Sequence, residues 1–233
     1  MNAVVTGATK GIGRAIVKLL AANKYNIAFC ARNDKESDLL QAELKRAYPD
    51  QKFVHLPTDC EVSADVEAFA SFVLENFSSV NVLVNNAGLY IPSSFFDEKP
   101  DDLEKQMQVN VYTPYHLCKT VGQKMKLVET GHIFNICSVA SIKPVVSAAS
   151  YSVTKFALLG LTKVLREELK PHKVKVTAIL PGSTLTNSWA GTDVPAERFV
   201  NADDVALAVL NCLNMSIGAN VDEIIIQPVL GEI

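Results

Sequence analysis

Short runs rich in β-branched and apolar residues alternate with longer amphipathic stretches along all 233 residues. Several runs, such as Val82-Leu83-Val84 and Ile224-Ile225-Ile226, are apolar at consecutive positions. A strand with one wet face would alternate apolar with polar residues. These runs therefore predict strands covered on both faces, as in a parallel sheet between helices. The pattern places strands at Ala3–Thr6, Asn26–Ala31, Lys52–Leu56, Val80–Val84, Gly131–Ile136, Val174–Leu180 and Glu223–Gln227. It places helices at Gly11–Ala22, Lys35–Tyr48, Ser63–Phe77, Asp101–Leu127, Ser150–Lys170 and Ala202–Leu213. Ser63 and Asn201 are read as helix caps, and Pro114 as falling inside or kinking the long fourth helix. The result is an α/β chain with right-handed crossovers: one doubly wound parallel sheet of about seven strands, flanked by helices, over residues 1–233. Gly182–Asn201 is irregular and clusters Ser, Thr, Asn, Gly and Pro, which predicts a mobile loop over a site.

Composition excludes several classes. Lys and Arg number 22 against 25 Asp and Glu, a net charge of -3. That leaves no excess of cations to neutralise phosphates, so no nucleic-acid partner is expected. The chain shows neither a basic-then-apolar opening nor about 18 consecutive apolar residues, so no signal peptide or membrane span is expected. Cys30, Cys60, Cys118, Cys137 and Cys212 are scattered without a C-x-x-C pair and read as reduced thiols of a cytoplasmic protein. His55, His116, His132 and His172 lack partners at ligand spacing, so no metal is expected.

The first strand runs directly into Thr6-Gly7-Ala8-Thr9-Lys10-Gly11-Ile12-Gly13, and a helix follows. Glycines there permit a tight turn and a close approach of backbone to a pyrophosphate, and the helix N-terminus supplies free N–H groups. The spacing is T-G-x-x-x-G-x-G rather than G-x-G-x-x-G. With Asn85-Asn86-Ala87-Gly88 after the fourth strand, Asn110, Ser138, Tyr151-x-x-x-Lys155 and Pro181-Gly182, the chain resembles the short-chain dehydrogenase/reductase family over nearly its whole length. The resemblance implies a Rossmann-type fold, a catalytic set of Ser138, Tyr151, Lys155 and Asn110, and a nicotinamide cofactor. It also implies a homodimer paired through the fourth and fifth helices, where Leu117, Phe156 and Leu158 are read as outward apolar residues.

Tyr151 and Lys155 are four apart on a predicted helix and so share a face. A free phenol has a pKa near 10. An ammonium about 4 Å away, at an effective dielectric of about 20, favours the phenolate by roughly 4 kcal/mol, enough to bring the phenol near neutrality. Tyr151 would then give a proton to a carbonyl oxygen, or take it back in the reverse direction. Ser138 ends the fifth strand, at the sheet edge where ligands bind, and would hold the substrate oxygen by hydrogen bond. By resemblance, Asn110 fixes a water near Lys155. No G-x-S-x-G elbow surrounds Ser138, which rules against a serine hydrolase.

An acidic residue after the second strand would bond the ribose 2′-OH of NAD. Here Cys30-Ala31-Arg32 stands instead, with Lys10 in the glycine turn, and Asp34 lies past the contact point. The pair resembles the NADP-preferring members, so NADP(H) is the expected cofactor. By the same resemblance, Asp59 meets the adenine, and Asn86, Ala87 and Gly88 line the adenosine ribose. Pro181, Gly182, Thr184 and Thr186 meet the nicotinamide side. Leu89-Tyr90-Ile91, Val139 to Ile142, Val145, Val146 and a substrate loop at about 182–201 with Ser183 and Trp189 frame a mostly apolar pocket, with Lys143 its one possible clamp for a carboxylate. It suits an apolar or amphipathic ketone or aldehyde, or the corresponding alcohol. Within the family, 3-oxoacyl-carrier-protein reductases are the commonest comparison, but they usually carry a basic residue just before the glycine that opens the fifth strand and a Gly-Gly-rich end. This chain has Val128-Glu129-Thr130-Gly131 and Val221 to Pro228 at those places. Bacterial sepiapterin-reductase-like proteins compare through the loop and the end Val221-Asp222-Glu223-Ile224. A non-catalytic NADP-binding sensor is the alternative of another class.

Overall fold

The computed structural model describes residues Met1–Ile233. Seven parallel strands form one sheet in the order β3-β2-β1-β4-β5-β6-β7. They are β1 Asn2–Thr6, β2 Asn26–Ala31, β3 Phe53–Pro57, β4 Val82–Asn85, β5 Gly131–Ile136, β6 Val174–Pro181 and β7 Glu223–Ile226. Side chains alternate across the pleat, so each strand feeds two cores. Ala3 and Val5 of β1 join Ile27 and Phe29 of β2 in one layer. There they meet α1 (Gly11–Ala22), α2 (Asp34–Ala47) and α8 (Ala202–Leu213) through Leu20, Leu44 and Val209. Val4, Ala28 and Leu83 face the other way, against Phe69 of α3 (Ser63–Asn76) and Leu117, Val121 and Met125 of the long helix. Leu158 and Leu159 of α7 (Ala149–Leu169) pack on Cys137, Ala178 and Leu180.

Most expected boundaries hold within two residues, and the departures have local causes. Ser63 is not a cap but the first helical residue of α3; Val62 occupies the cap position with no side-chain bond. Asn201 does cap α8, accepting from Asp203 N at 3.0 Å while Asp204 reaches back to Asn201 N. The long helix is not one regular rod. It runs as α4 (Asp102–Met107), a π turn (Gln108–Tyr112), α5 (Thr113–Leu117), a second π turn (Cys118–Gly122) and α6 (Gln123–Val128). Pro114 has no N–H to offer the Asn110 carbonyl in α register. The first π turn absorbs this, with Thr113 N bonding Gln108 O five residues back.

Leu117 and Leu158 are core residues, 0% and 2% exposed, which corrects their reading as outward apolar positions. Among the three, Phe156 alone faces out. The segment after β6 is also more tied than a bare loop. Thr184 bridges to Val200, and Trp189 packs edge-on against Phe199 with centroids 5.0 Å apart.

Candidate active site

The order reverses between β1 and β4, which opens a crevice at their carboxyl ends. The glycine turn fills one side of it. Gly7 and Gly11 have φ of +66° and +49°, conformations that L side chains rarely adopt. A Cβ at Gly13 would run into the Gly7 carbonyl and the Asn86 amide. Asn86 donates to Thr6 O and Gly7 O at 2.9 and 3.1 Å, and Thr6 Oγ1 accepts from Asn86 N and Ala87 N at 3.0 and 2.9 Å. Thr6 and Asn86 thus staple the turn to the end of β4. The first turn of α1 has no acidic residue and no side-chain cap, so its leading N–H groups face the crevice without an internal anion.

A cavity of about 430 Å³ lies over this turn. Of the residues expected at a dinucleotide, it is lined by Gly7, Thr9, Lys10, Gly11, Ile12, Arg32, Asp59, Asn86, Ala87, Gly88 and Thr186. The narrow cradle, the open helix end and these walls fit the adenosine-pyrophosphate half of such a cofactor. Thr6 and Gly13 lie behind the wall as turn-formers. Pro181 ends β6, Gly182 N bonds Ile226 O at 2.7 Å, and Thr184 is buried with its hydroxyl on Gly182 O at 2.9 Å. These three shape the far side and do not line the cavity. Sequence reasoning missed Asn33, Glu36 and Glu61 on the wall. Asn33 had a signal, as a polar residue capping the helix after β2, where it accepts from Glu36 N at 3.2 Å. The two carboxylates had none, because their neighbours are set by the fold.

Beyond the cavity stands the expected catalytic set. Tyr151 and Lys155 share a face of α7, and the Lys155 ammonium lies 5.6 Å from the Tyr151 ring centroid. Lys155 is buried, its Nζ donating to Ile136 O at 2.9 Å. The Ser138 hydroxyl accepts from Ala140 N at 3.1 Å, which leaves its own proton for an outside acceptor. Asn110 is wholly buried and close to Lys155 around Gly88, but its amide is engaged. It donates to Leu89 O and Thr154 Oγ1, both at 2.9 Å, and accepts from Leu89 N at 2.8 Å. Its two amide hydrogens are therefore spent on the Leu89 turn and on α7, while Oδ1 keeps one lone pair free.

Tyr90 meets Tyr151 edge-on, with centroids 4.9 Å apart. Burial, and then the charge of Tyr151, push the Tyr90 phenol above its ordinary value, so Tyr90 keeps its proton. Glu98 fastens the same loop to the start of α7. It accepts from Ser150 N at 2.7 Å and from Ser150 Oγ at 2.6 Å, one residue before Tyr151. The fold also gathers Asp34, Asp38 and His55, which sequence spacing did not show because His55 comes from β3. His55 Nε2 lies 3.2 Å from Asp38 Oδ1, a bond that ties α2 to β3.

Residues 1–194 match the family model described as short chain dehydrogenase. The chain belongs to the short-chain dehydrogenase family. A 3alpha-hydroxysteroid dehydrogenase of Mediterraneibacter gnavus is 33% identical over 218 residues, which are 89% of this chain and 87% of that protein. An alcohol dehydrogenase of the archaeon Thermococcus sibiricus, solved with 5-hydroxy-NADP, superposes with a TM-score of 0.90 at 26% identity. It covers 100% of this chain and 98% of that one. A metagenomic short-chain oxidoreductase solved with NADP gives 0.85 at 29% identity, over 98% of this chain and 97% of that one. This short-chain dehydrogenase is accordingly an oxidoreductase acting on CH–OH groups, of a family that uses nicotinamide cofactors. No helix in it is long and apolar enough to cross a membrane.

Proposed function

We propose that the protein reduces an apolar or amphipathic ketone or aldehyde with NADPH, or runs the reverse oxidation. One observation carries this reading: the buried Lys155 ammonium beside the Tyr151 ring at the carboxyl edge of the sheet. NADPH, when bound, supplies the hydride. The chain's residues handle the proton and the geometry. Ser138 donates a hydrogen bond to the substrate oxygen, and Tyr151 delivers the proton that turns that oxygen into a hydroxyl. Lys155, desolvated and without a carboxylate partner, favours the phenolate left behind. Lys10 and Arg32 on the cavity wall, together with NADP in the two solved relatives, support NADP(H).

The apolar residues expected around the substrate pocket support the substrate class. Tyr90, Ile142, Val145, Val146 and Leu185 are 37% to 82% exposed, far more apolar surface than a solvent-facing edge needs. A bulky apolar substrate suits it, and the steroid-acting relative supports that class. A 3-oxoacyl-carrier-protein reductase or a sepiapterin-type reductase is the alternative within the family. The five buried free cysteines fit a cytoplasmic setting. A homodimer is part of the proposal. Its face is built from Tyr112, Tyr115, Val153, Phe156 and Val164, all 45% exposed or more.

The test is NADPH oxidation at 340 nm with a panel of bulky ketones, diketones and aldehydes. Tyr151→Phe should cut kcat by at least about 100-fold, the low end of acid catalysis, with the NADPH dissociation constant near wild type. Substantial turnover in that variant would remove Tyr151 from its role. NADPH binding with no turnover on any carbonyl would favour the non-catalytic sensor.

A further inference from the structure

The two cations on the adenosine wall already have partners. Lys10 Nζ lies 2.8 Å from Glu36 Oε1, and Arg32 Nη1 lies 3.8 Å from Glu61 Oε1. All four line the cavity, and Asp59 is its fifth charged residue, so two cations face three carboxylates. The hydrogen bond from Lys10, its charge, and a hydrogen bond from Thr9 hold the Glu36 carboxyl below the ordinary carboxylate range. Glu36 is therefore an anion at neutral pH, on the first turn of α2.

We infer that Glu36 and Glu61 are specificity-determining residues, internal counter-ions that limit how strongly this protein prefers NADPH over NADH. The inference rests on the cofactor reading above. An arriving 2′-phosphate brings negative charge to a place where Lys10 and Arg32 each already have a carboxylate beside them. It must displace or share the carboxylates, so the new charge-assisted bonds are offset by the lost pairs and by repulsion. NADH has a ribose hydroxyl instead. It leaves both pairs standing, and that hydroxyl can donate to Glu36 on the cavity wall. Bare cations would give a large preference for the phosphate, whereas paired cations give a small one. Glu36 should weigh more than Glu61, because its contact is shorter by a full ångström.

The opposite arrangement is also physically sensible. The carboxylates would then serve to orient the cations, and removing them would weaken phosphate binding. Equilibrium titration separates the two. Calorimetric dissociation constants would be measured for 2′,5′-ADP, 5′-AMP, NADPH and NADH with wild type, Glu36→Gln and Glu61→Gln. Glu43→Gln is the control, because Glu43 pairs with Arg14 and Lys18 and is not on the cavity wall. Glu36→Gln should tighten 2′,5′-ADP and NADPH by roughly two- to fivefold at low salt, the scale of one exposed ion pair. The gain should shrink as salt rises. Affinity for 5′-AMP and NADH should stay level or fall, and Glu61→Gln should show a smaller gain of the same sign. Unchanged or weaker 2′,5′-ADP binding in both variants, with wild type binding it normally, would overturn the counter-ion role. A wild type that binds neither 2′,5′-ADP nor NADPH would overturn the cofactor reading, and the inference with it.

Discussion

His132 sits on β5 with its ring stacked on Phe134, centroids 3.9 Å apart, and its Nε2 2.8 Å from Thr177 Oγ1. The Thr177 hydroxyl donates its proton to Val221 O at 2.6 Å, so it must accept from His132, which fixes the Nε2–H tautomer. Burial, and then the charge of Lys175, bring the His132 pKa down from 6.5 to about 3. The fold thus holds the neutral ring, while the unfolded chain takes a proton below about pH 6.5. Between those two values the unfolded state binds more protons, so stability falls as pH falls, by about 1.4 kcal/mol per pH unit for this one group. Its contribution is complete above pH 6.5. Urea unfolding at pH 6.5 and 5.0 should show a loss of about 2 kcal/mol attributable to His132. His132→Gln should be less stable at neutral pH but flatter across that window. Parallel pH slopes for the two proteins would remove His132 as a source of acid sensitivity.

The strand–turn–helix unit of β1 and α1 works because its glycines let three backbones approach one another. Gly13 is the tightest point, hemmed by the Gly7 carbonyl and the Asn86 amide that staples the turn to β4. Gly13→Ala puts a methyl where those atoms stand, so the turn must shift and its N–H groups lose their aim. Helix propensity would favour alanine by about 1 kcal/mol, but the clash outweighs it. NADPH affinity should fall by at least about tenfold, or 1.4 kcal/mol, and the melting temperature should drop while the helical circular dichroism persists. Undiminished NADPH affinity would show that the cofactor does not use this close approach. The long helix illustrates a different local solution. Pro114 would break an α register, yet the π turn at Gln108–Tyr112 carries the chain past it and leaves Asn110 buried beside Lys155.

For the whole molecule, both faces of the sheet are covered, so little apolar surface should remain outside. The long helix and α7 nevertheless expose Tyr112, Tyr115, Val153, Phe156 and Val164. On α7, Val153, Phe156, Gly160 and Val164 follow helical spacing along one stripe, and nothing lies within 4 Å of a Cβ built at Gly160. A stripe with a small residue at its middle lets a second copy approach closely, and a two-fold axis makes the face complementary to itself. Light scattering at micromolar concentration should give a dimer mass near twice 25.3 kDa. Phe156→Glu should shift it to the monomer by placing a charge at the contact. A wild-type monomer at that concentration would rule out this dimer.

Local chemistry carried much of this protein in its sequence. Apolar runs, caps and turns located α1, β2, β5 and α8 to the residue, because hydrogen bonding between near neighbours and the period of burial are written along the chain. The glycine spacing and the Tyr151-x-x-x-Lys155 pair were equally legible, since both lie within one element or one turn. Contacts between distant segments were not. Sheet order and helix rotation decided that Leu117 and Leu158 point inward, where outward positions had been expected. They turned the Asn110 amide toward Leu89 and Thr154, gave Ser150 to Glu98, and set Glu36 and Glu61 against Lys10 and Arg32. A sequence lists these charges, but Coulomb's law needs their separations, and only the packed chain supplies them.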